Sequence, residues 1–490
     1  MTPQPSLTGR ALIAVGLMIG FYVLALGIGL GLLWIPYAEW VYAGRVHAKL
    51  AFGCIVAGAM VLWSILPRAD KFVAPGPRLT LAEHPRLQKE LQSIASATGQ
   101  SMPRDVYLVG DVNAWVSQRG GVMGFGSHRV MGLGLPLLSV LKISQLRAVL
   151  AHEFGHYHGG DTRLGPWIYK TRAAIGRTVS NLGDDSWVQK PFVWYGTLFL
   201  RITHAISRQQ ELTADALAAR VAGATAMISG LKAVHAAAVG FNSYWGAEVV
   251  PLLQAGYHAP MADGFARFLS AQPIAASLTK SVDEELAAGE ADPYDTHPPL
   301  RERVAALAHL PASVMPENEN TALSLLERTQ TLERDLLAQV AGATAVNELK
   351  DLDWSAAGTK VYLPQWSRIA ETNASVFSGI TAANLPTVLQ KPGMFRQHFL
   401  KQTEQSLSDE QLLRALVGAA GCTLAATLAQ QGFALSCELG MPVSFRRDSL
   451  QLEPFTIVSD LQRGTLTPEE WQKQCLEAGI ADVNLSAARA

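Results

Sequence analysis

Between Ala11 and Ile35 the chain carries no charged residue. At a helical rise of about 1.5 Å per residue this run extends about 37 Å, enough to cross a hydrocarbon core about 30 Å thick with some tilt. The apolar region of a cleavable signal peptide is shorter, about 7–15 residues. A second apolar run, Leu50 to Leu66, is short for a span, but Lys49 and Arg68 flank it and can reach the headgroups. Trp34 near the end of the first run, with Tyr37 and Trp40 just after it, suits the interface, as aromatics do. The expectation is a transmembrane helical hairpin within residues 1–75, with spans at about 11–35 and 50–66. Arg10 precedes the first span and Arg68, Lys71 and Arg78 follow the second, against Arg45 and Lys49 in the loop; this bias puts both ends of the hairpin in the cytoplasm.

With 490 residues in all, the rest of the chain has room for more than one further unit. Lys and Arg (40) nearly cancel Asp and Glu (41), so no global field gathers nucleic acid, and that partner is excluded. Cys54, Cys422, Cys437 and Cys475 form no closely spaced pair, and Cys54 lies inside a proposed span. Neither a zinc ribbon nor a redox C-x-x-C is present, and the four read as free thiols.

After the linker RADKFVAPGPR, an amphipathic helix is predicted near Glu83 to Thr98. The segments DVYLVG, NAWVSQ and HRVMGLG, separated by Gly, Asn and Ser, predict a small sheet. From Leu137 the spacing turns helical through SVLKISQLRAVLAHEFGHYHGG, with the paired glycines as its stop, and another helix runs from about Thr203 to Val221. Between them PFVWYGTLFL is too short to span and reads as a buried helix or a membrane-surface element. Beyond Leu310 the pattern is mostly helical. LLERTQTLERDLLAQVAG is amphipathic, and TPEEWQKQCLEAGI opens on a capping box of Thr467 and Glu470 with Pro468 at the first helical position. ALVGAAGCTLAATLA is short, follows Arg414 and reads as a buried helix.

The pattern richest in chemistry is AHEFGHYHGGD, which contains H-E-x-x-H as His152, Glu153 and His156. Side chains four apart share a helix face, so both imidazoles can converge on one ion. Glu153, beside the first of them, can then take the proton from a zinc-activated water. Catalytic zinc needs a third protein ligand. In the longer H-E-x-x-H-x-x-G-x-x-H pattern Gly159 fits, but the last position is Thr162, and His158 points away from His156 on the helix. A second helix, ISRQQELTADALAAR, offers Glu211 and Asp215 four residues apart on one face, so that one acid can bind metal and the other orient an imidazole. Arg208, one turn before Glu211, can balance their charge.

H-E-x-x-H followed by S-R-x-x-E-x-x-A-D resembles the integral-membrane gluzincins of peptidase family M48, which include the HtpX proteases and the CAAX prenyl endopeptidases. The resemblance covers the hairpin and the region to about His309. It implies a zincin-like domain in which Glu211 is the third zinc ligand and Asp215 the acid beside it. It also implies that Asn113, Ala114 and Trp115 belong to a strand lining the substrate cleft. Thr296, His297 and Pro298 with Arg303 match a further family segment, with His297 donating to the oxyanion and Arg303 in support. Two features depart from the family: there is only the PFVWYGTLFL run where HtpX-type members commonly have further spans, and the C-terminal region lies outside the match.

The expectation is an α+β, predominantly helical protein. It comprises the hairpin (1–75), a zinc metallopeptidase domain with a small sheet (76–310) and a helical accessory domain (311–490) that could engage a protein partner. Its function would be that of a zinc metalloendopeptidase with one Zn2+ per chain and Glu153 as base, acting on protein or peptide substrates at the bilayer in membrane-protein quality control or processing. The bacterial inner (plasma) membrane is the expected location, with the protease domain cytoplasmic. The alternatives are a catalytically silent zinc-containing membrane scaffold and a prenyl-peptide processing protease.

Overall fold

The computed structural model describes residues 7–66, 72–120, 126–157, 165–183, 186–288, 298–310, 318–400 and 408–487. The chain forms two units, Met1–Ala238 with Thr279–Val340, and Val239–Leu278 with Ala341–Ala490.

In the first unit the charge-free run lies in α1 (Leu7–Ala43), and α2 (Ala48–Ile65) packs beside it. Small residues let the two backbones approach: a Cβ on Gly58 would lie 2.9 Å from the carbonyl oxygen of Gly29. Both helices are long and apolar enough to cross a membrane, and Trp34, Tyr37 and Trp40 are exposed. The segments Ala224–Gln254 and Asp409–Gln430 also meet that length and composition, but 67% of the second is buried, which fits the buried helix expected there.

Next, α3 (Pro85–Thr98) buries Leu87, Leu91 and Ile94 at helical spacing and stops where Gly99 takes φ +67°. The three predicted strands are β1 (Asp105–Val109), β2 (Ala114–Arg119) and β3 (His128–Gly134). β3 is central, parallel to β1 and antiparallel to β2. Backbone bonds from Leu79 to Val106 and from Leu108 to Pro77 cover the outer edge of β1, so β2 is the sheet's other edge.

The helical stretch predicted from Leu137 is two helices, α4 (Leu135–Val140) and α5 (Ile143–Gly155). At the break the Lys142 amide donates to Gln145 Oε1, and the amides of Ile143 and Ser144 donate to the carbonyls of Asn320 and Asn318. α5 ends at Gly155, before the paired glycines, which lie outside the described residues. After α6 (Gly165–Leu182), PFVWYGTLFL proves to be the opening of a long helix, α7 (Lys190–Ala222), with Pro191 in its first turn. Phe192 and Phe199 are fully buried in an apolar cluster with Met18, Phe21 and Ala25 of α1 and Ala174 and Ile175 of α6. Arg177 of α6 donates to the Ser64 carbonyl, one of the groups that the last turn of α2 leaves unpaired. The second half of α7 runs against α5.

The chain continues through α8 (Ala224–Tyr244), α9 (Val250–Gln254) and α10 (Met261–Ser270), and then α11 (Gln272–Ala287) and α12 (Leu300–Leu307). In the second unit, helix Asp409–Gln430 forms the middle of a core that includes Leu416, Leu424, Phe445 and Trp471. The predicted capping box is present there: the Glu470 amide donates to Thr467 Oγ1, and the Thr467 amide donates to Glu470 Oε2.

Candidate metal centre

His152, Glu153 and His156 occupy the last turn of α5 and its C-cap, with the two imidazole centroids 4.7 Å apart and the rings nearly perpendicular at 82°. α7 brings Glu211 to both: Oε2 lies 3.3 Å from His152 Nε2, and Oε1 lies 3.5 Å from His156 Nε2. The helices come this close because the residue before His156 is Gly155, where a Cβ would sit 3.0 Å from Ala214 Cα. Four residues beyond Glu211, Asp215 Oδ1 lies 2.8 Å from His152 Nδ1. The Arg303 guanidinium, from α12, grips Asp215 through both oxygens at 2.7 and 2.8 Å.

Burial alone would lower the His152 pKa, but its hydrogen bonds with Asp215 and Glu211 outweigh it and push the value up to about 9. Burial would raise the Asp215 pKa, but Arg303 and His152 hold it below the usual carboxylate value. Two buried carboxylates face one guanidinium, so a second positive charge is needed to balance them: the proton on His152 or, with that ring deprotonated, a bound cation.

This donor set fits zinc. Ligand bonds of about 2.0–2.1 Å in a tetrahedral array put donor atoms about 3.3–3.4 Å apart, close to the separations between Glu211 and the two Nε2 atoms. The imidazole and carboxylate donors are those zinc takes, and Asp215 holds Nδ1 of His152, which turns Nε2 toward Glu211. Glu153, half-buried, has its carboxylate within a group of His152, Glu153 and His156 donor atoms no more than 4.8 Å apart.

A cavity of about 350 Å³ opens beside these residues, lined by His152, Glu153, Arg303, Pro298, Asn113 and Ala114 among others. Asn113 reaches it because Gly134 admits the preceding turn: a Cβ there would meet the Asp111 carbonyl at 2.0 Å. Trp115 points to the other face of β2 and packs against Gly132, its partner in the register. Arg208 stands half-buried one turn before Glu211. Thr296, His297, His158 and Thr162 lie outside the described residues.

Tyr157 escaped the sequence reading. Its hydroxyl donates to the Val116 carbonyl at 3.0 Å, and Arg129 lies 4.4 Å above its ring, so it ties the end of α5 to β2. Burial pushes its pKa up to about 12. Its place next to His156 is the only local signal for it.

The family described as peptidase family M48 matches residues 81–310. This segment belongs to peptidase family M48. The M48 segment contains every one of the site residues just described, from Asn113 to Arg303. A protease HtpX homolog of Acidiphilium cryptum is 28% identical over 295 residues, covering 57% of this chain and 92% of the relative. HtpX homologs of Ralstonia nicotianae (25% over 242 residues; 46% of this chain, 74% of the relative) and Tropheryma whipplei (29% over 166; 33% and 52%) are also similar. No solved structure matches. With its apolar N-terminal helices the chain is a membrane protein carrying an M48 peptidase domain.

Proposed function

We propose that the chain is a zinc endopeptidase that hydrolyses peptide bonds of membrane-associated or misfolded proteins at the bilayer, with Glu153 as general base. One observation carries this reading: the Glu211 carboxylate lies 3.3 and 3.5 Å from the Nε2 atoms of His152 and His156, with Glu153 on the wall of the adjoining cavity.

His152, His156 and Glu211 would hold one zinc ion, which supplies Lewis acidity and lowers the pKa of a bound water to about 7. Glu153 accepts the proton of the attacking water and returns it to the leaving amine. Asp215 fixes the tautomer and tilt of His152, Arg303 holds Asp215 in place, and Arg208 offsets the charge of the two acids. His297 donates to the oxygen on which charge develops. Asn113 and Ala114 orient an extended substrate that adds along β2, with Trp115 stiffening that strand from behind. By the positive-inside bias the peptidase domain faces the cytoplasm of a bacterial inner membrane, and the region beyond Leu310 recruits a protein partner.

The test is Glu153→Gln in the full-length chain. Zinc content by metal analysis should be unchanged, while degradation of casein should fall by about 100-fold or more. Undiminished cleavage by the purified variant would remove Glu153 from its role. Stoichiometric zinc with no turnover by the unaltered chain on any substrate would favour the scaffold.

A further inference from the structure

Beyond Glu153 the cavity continues along α8. Met227, Leu231 and Val234 fall on one face of that helix at helical spacing, and Leu137 and Val149 complete an apolar wall. On the same face of α8, His235 joins the lining and meets Glu285 of α11. Both Glu285 oxygens lie 3.0 Å from His235 Nδ1. The two side chains are 32% and 42% exposed, whereas His152 and Arg303 at the metal centre are 7% and 8% exposed, so the pair stands where the cavity meets solvent.

The chemistry of this pair is one-sided. Glu285 accepts from His235 Nδ1–H, and its two oxygens keep further lone pairs for a donor entering the cavity. Arg303, the cation in the lining, has its fork engaged by Asp215. The cavity thus joins apolar walls to a carboxylate at its rim. A side chain matching both has a methylene stem and a head of N–H donors.

We propose that this cavity is the pocket for the substrate side chain flanking the cleaved bond, and that the His235–Glu285 pair makes it select lysine or arginine. The proposal rests on the peptidase reading, which makes Glu153 the point from which the pocket is counted. Leu137, Val149, Met227, Leu231 and Val234 hold the stem, and Glu285 receives the charged head.

Two measurements on the full-length, zinc-loaded chain in detergent test it. In the first, a randomised peptide mixture is digested and the products are sequenced by mass spectrometry. Lys and Arg should be enriched at one position flanking the cleaved bond, Glu285→Gln should cut that enrichment about tenfold or more, and Glu285→Lys should shift it toward Asp and Glu. Cleavage without this preference, or with a preference that Glu285→Gln leaves intact, overturns the pocket and spares the peptidase reading.

In the second, the Glu153→Gln chain is titrated with fluorescein-labelled octa-alanine peptides carrying a single central Arg or Leu. The Arg peptide should bind about tenfold tighter, and adding Glu285→Gln should abolish the difference. Such a difference in a chain whose Glu153 form cleaves nothing overturns the peptidase reading and leaves the pocket standing. Equal binding of the two peptides overturns the pocket.

Discussion

Gly155 of α5 and Ala214 of α7 meet so closely that an added Cβ would sit 3.0 Å from Ala214 Cα and 3.1 Å from its Cβ, and α7 would have to give by a few tenths of an ångström to admit it. That contact sets the spacing between the helix carrying the imidazoles and the helix carrying Glu211. Gly155→Val should force the helices apart at a cost of about 1–3 kcal/mol, with Gly155→Ala milder. Thermal melts with and without chelator, beside a zinc titration, separate general destabilisation from lost donor geometry. Unaltered zinc affinity in Gly155→Val would show that this spacing does not govern the site.

Lysine should replace Arg303 only in part. The guanidinium holds both Asp215 oxygens at 2.7 and 2.8 Å, and a single ammonium cannot reproduce that fork. Asp215→Ala is expected to weaken zinc binding about 10–100-fold, and Arg303→Lys by a smaller factor in the same direction. Competition with a chromophoric chelator measures both, and circular dichroism checks that each variant is folded. An Arg303→Lys chain indistinguishable from the original would count against the relay from Arg303 through Asp215 to His152.

The metal-free chain should lose stability on the alkaline side. Folding raises the His152 pKa from 6.5 to about 9, so the stabilisation is complete below pH 6.5 and disappears as pH climbs through 9. Chelator-treated protein should therefore melt higher at pH 6 than at pH 9, and Asp215→Asn should flatten that difference. Zinc requires the deprotonated ring, so its binding between those pH values should release a proton, detectable by calorimetry in buffers of different ionisation enthalpy. A melting temperature with the same pH slope in both chains would argue against His152 as the group responsible.

In the hairpin, Gly58 faces the Gly29 carbonyl at 2.9 Å measured to an added Cβ, with the Leu33 side chain at 3.0 Å. Gly58→Leu should separate α1 from α2, because lipid offers no hydrophobic drive to close the gap again. Cysteine cross-linking between the two helices in membranes would report it, and cross-linking as efficient as in the original would refute this role for the glycines.

The site was legible in sequence where its geometry is local. His152, Glu153 and His156 share one helix end, and Glu211 and Asp215 lie four apart on a second, so spacing alone placed each pair on a face. Distance along the chain hid the rest. The break between α4 and α5 depends on carbonyls of Asn318 and Asn320, far beyond any local window, while the apolar pattern runs on unbroken through Leu141. His235 and Glu285 are fifty residues apart and carry no motif. The apolar cavity wall on α8 reads as ordinary core spacing until Glu153 is seen opposite it. The length of α7 had a signal, Pro191 in its first turn, but the apolar run after it resembled an isolated buried segment.

That long helix has a consequence for how the protein is handled. Phe192 and Phe199 lie in the cluster with α1 and α6, and Glu211 sits on the same rod about 18 Å beyond Phe199. Anchor and candidate metal centre are therefore not a tether and a payload. A version trimmed of α1 and α2 would strip the cover from one end of the rod and leave the position of Glu211 to what α7 still packs against, chiefly α5, α6 and α12. The lipid around the hairpin, through whatever it does to that packing, becomes an input to how closely Glu211 is held beside His152 and His156.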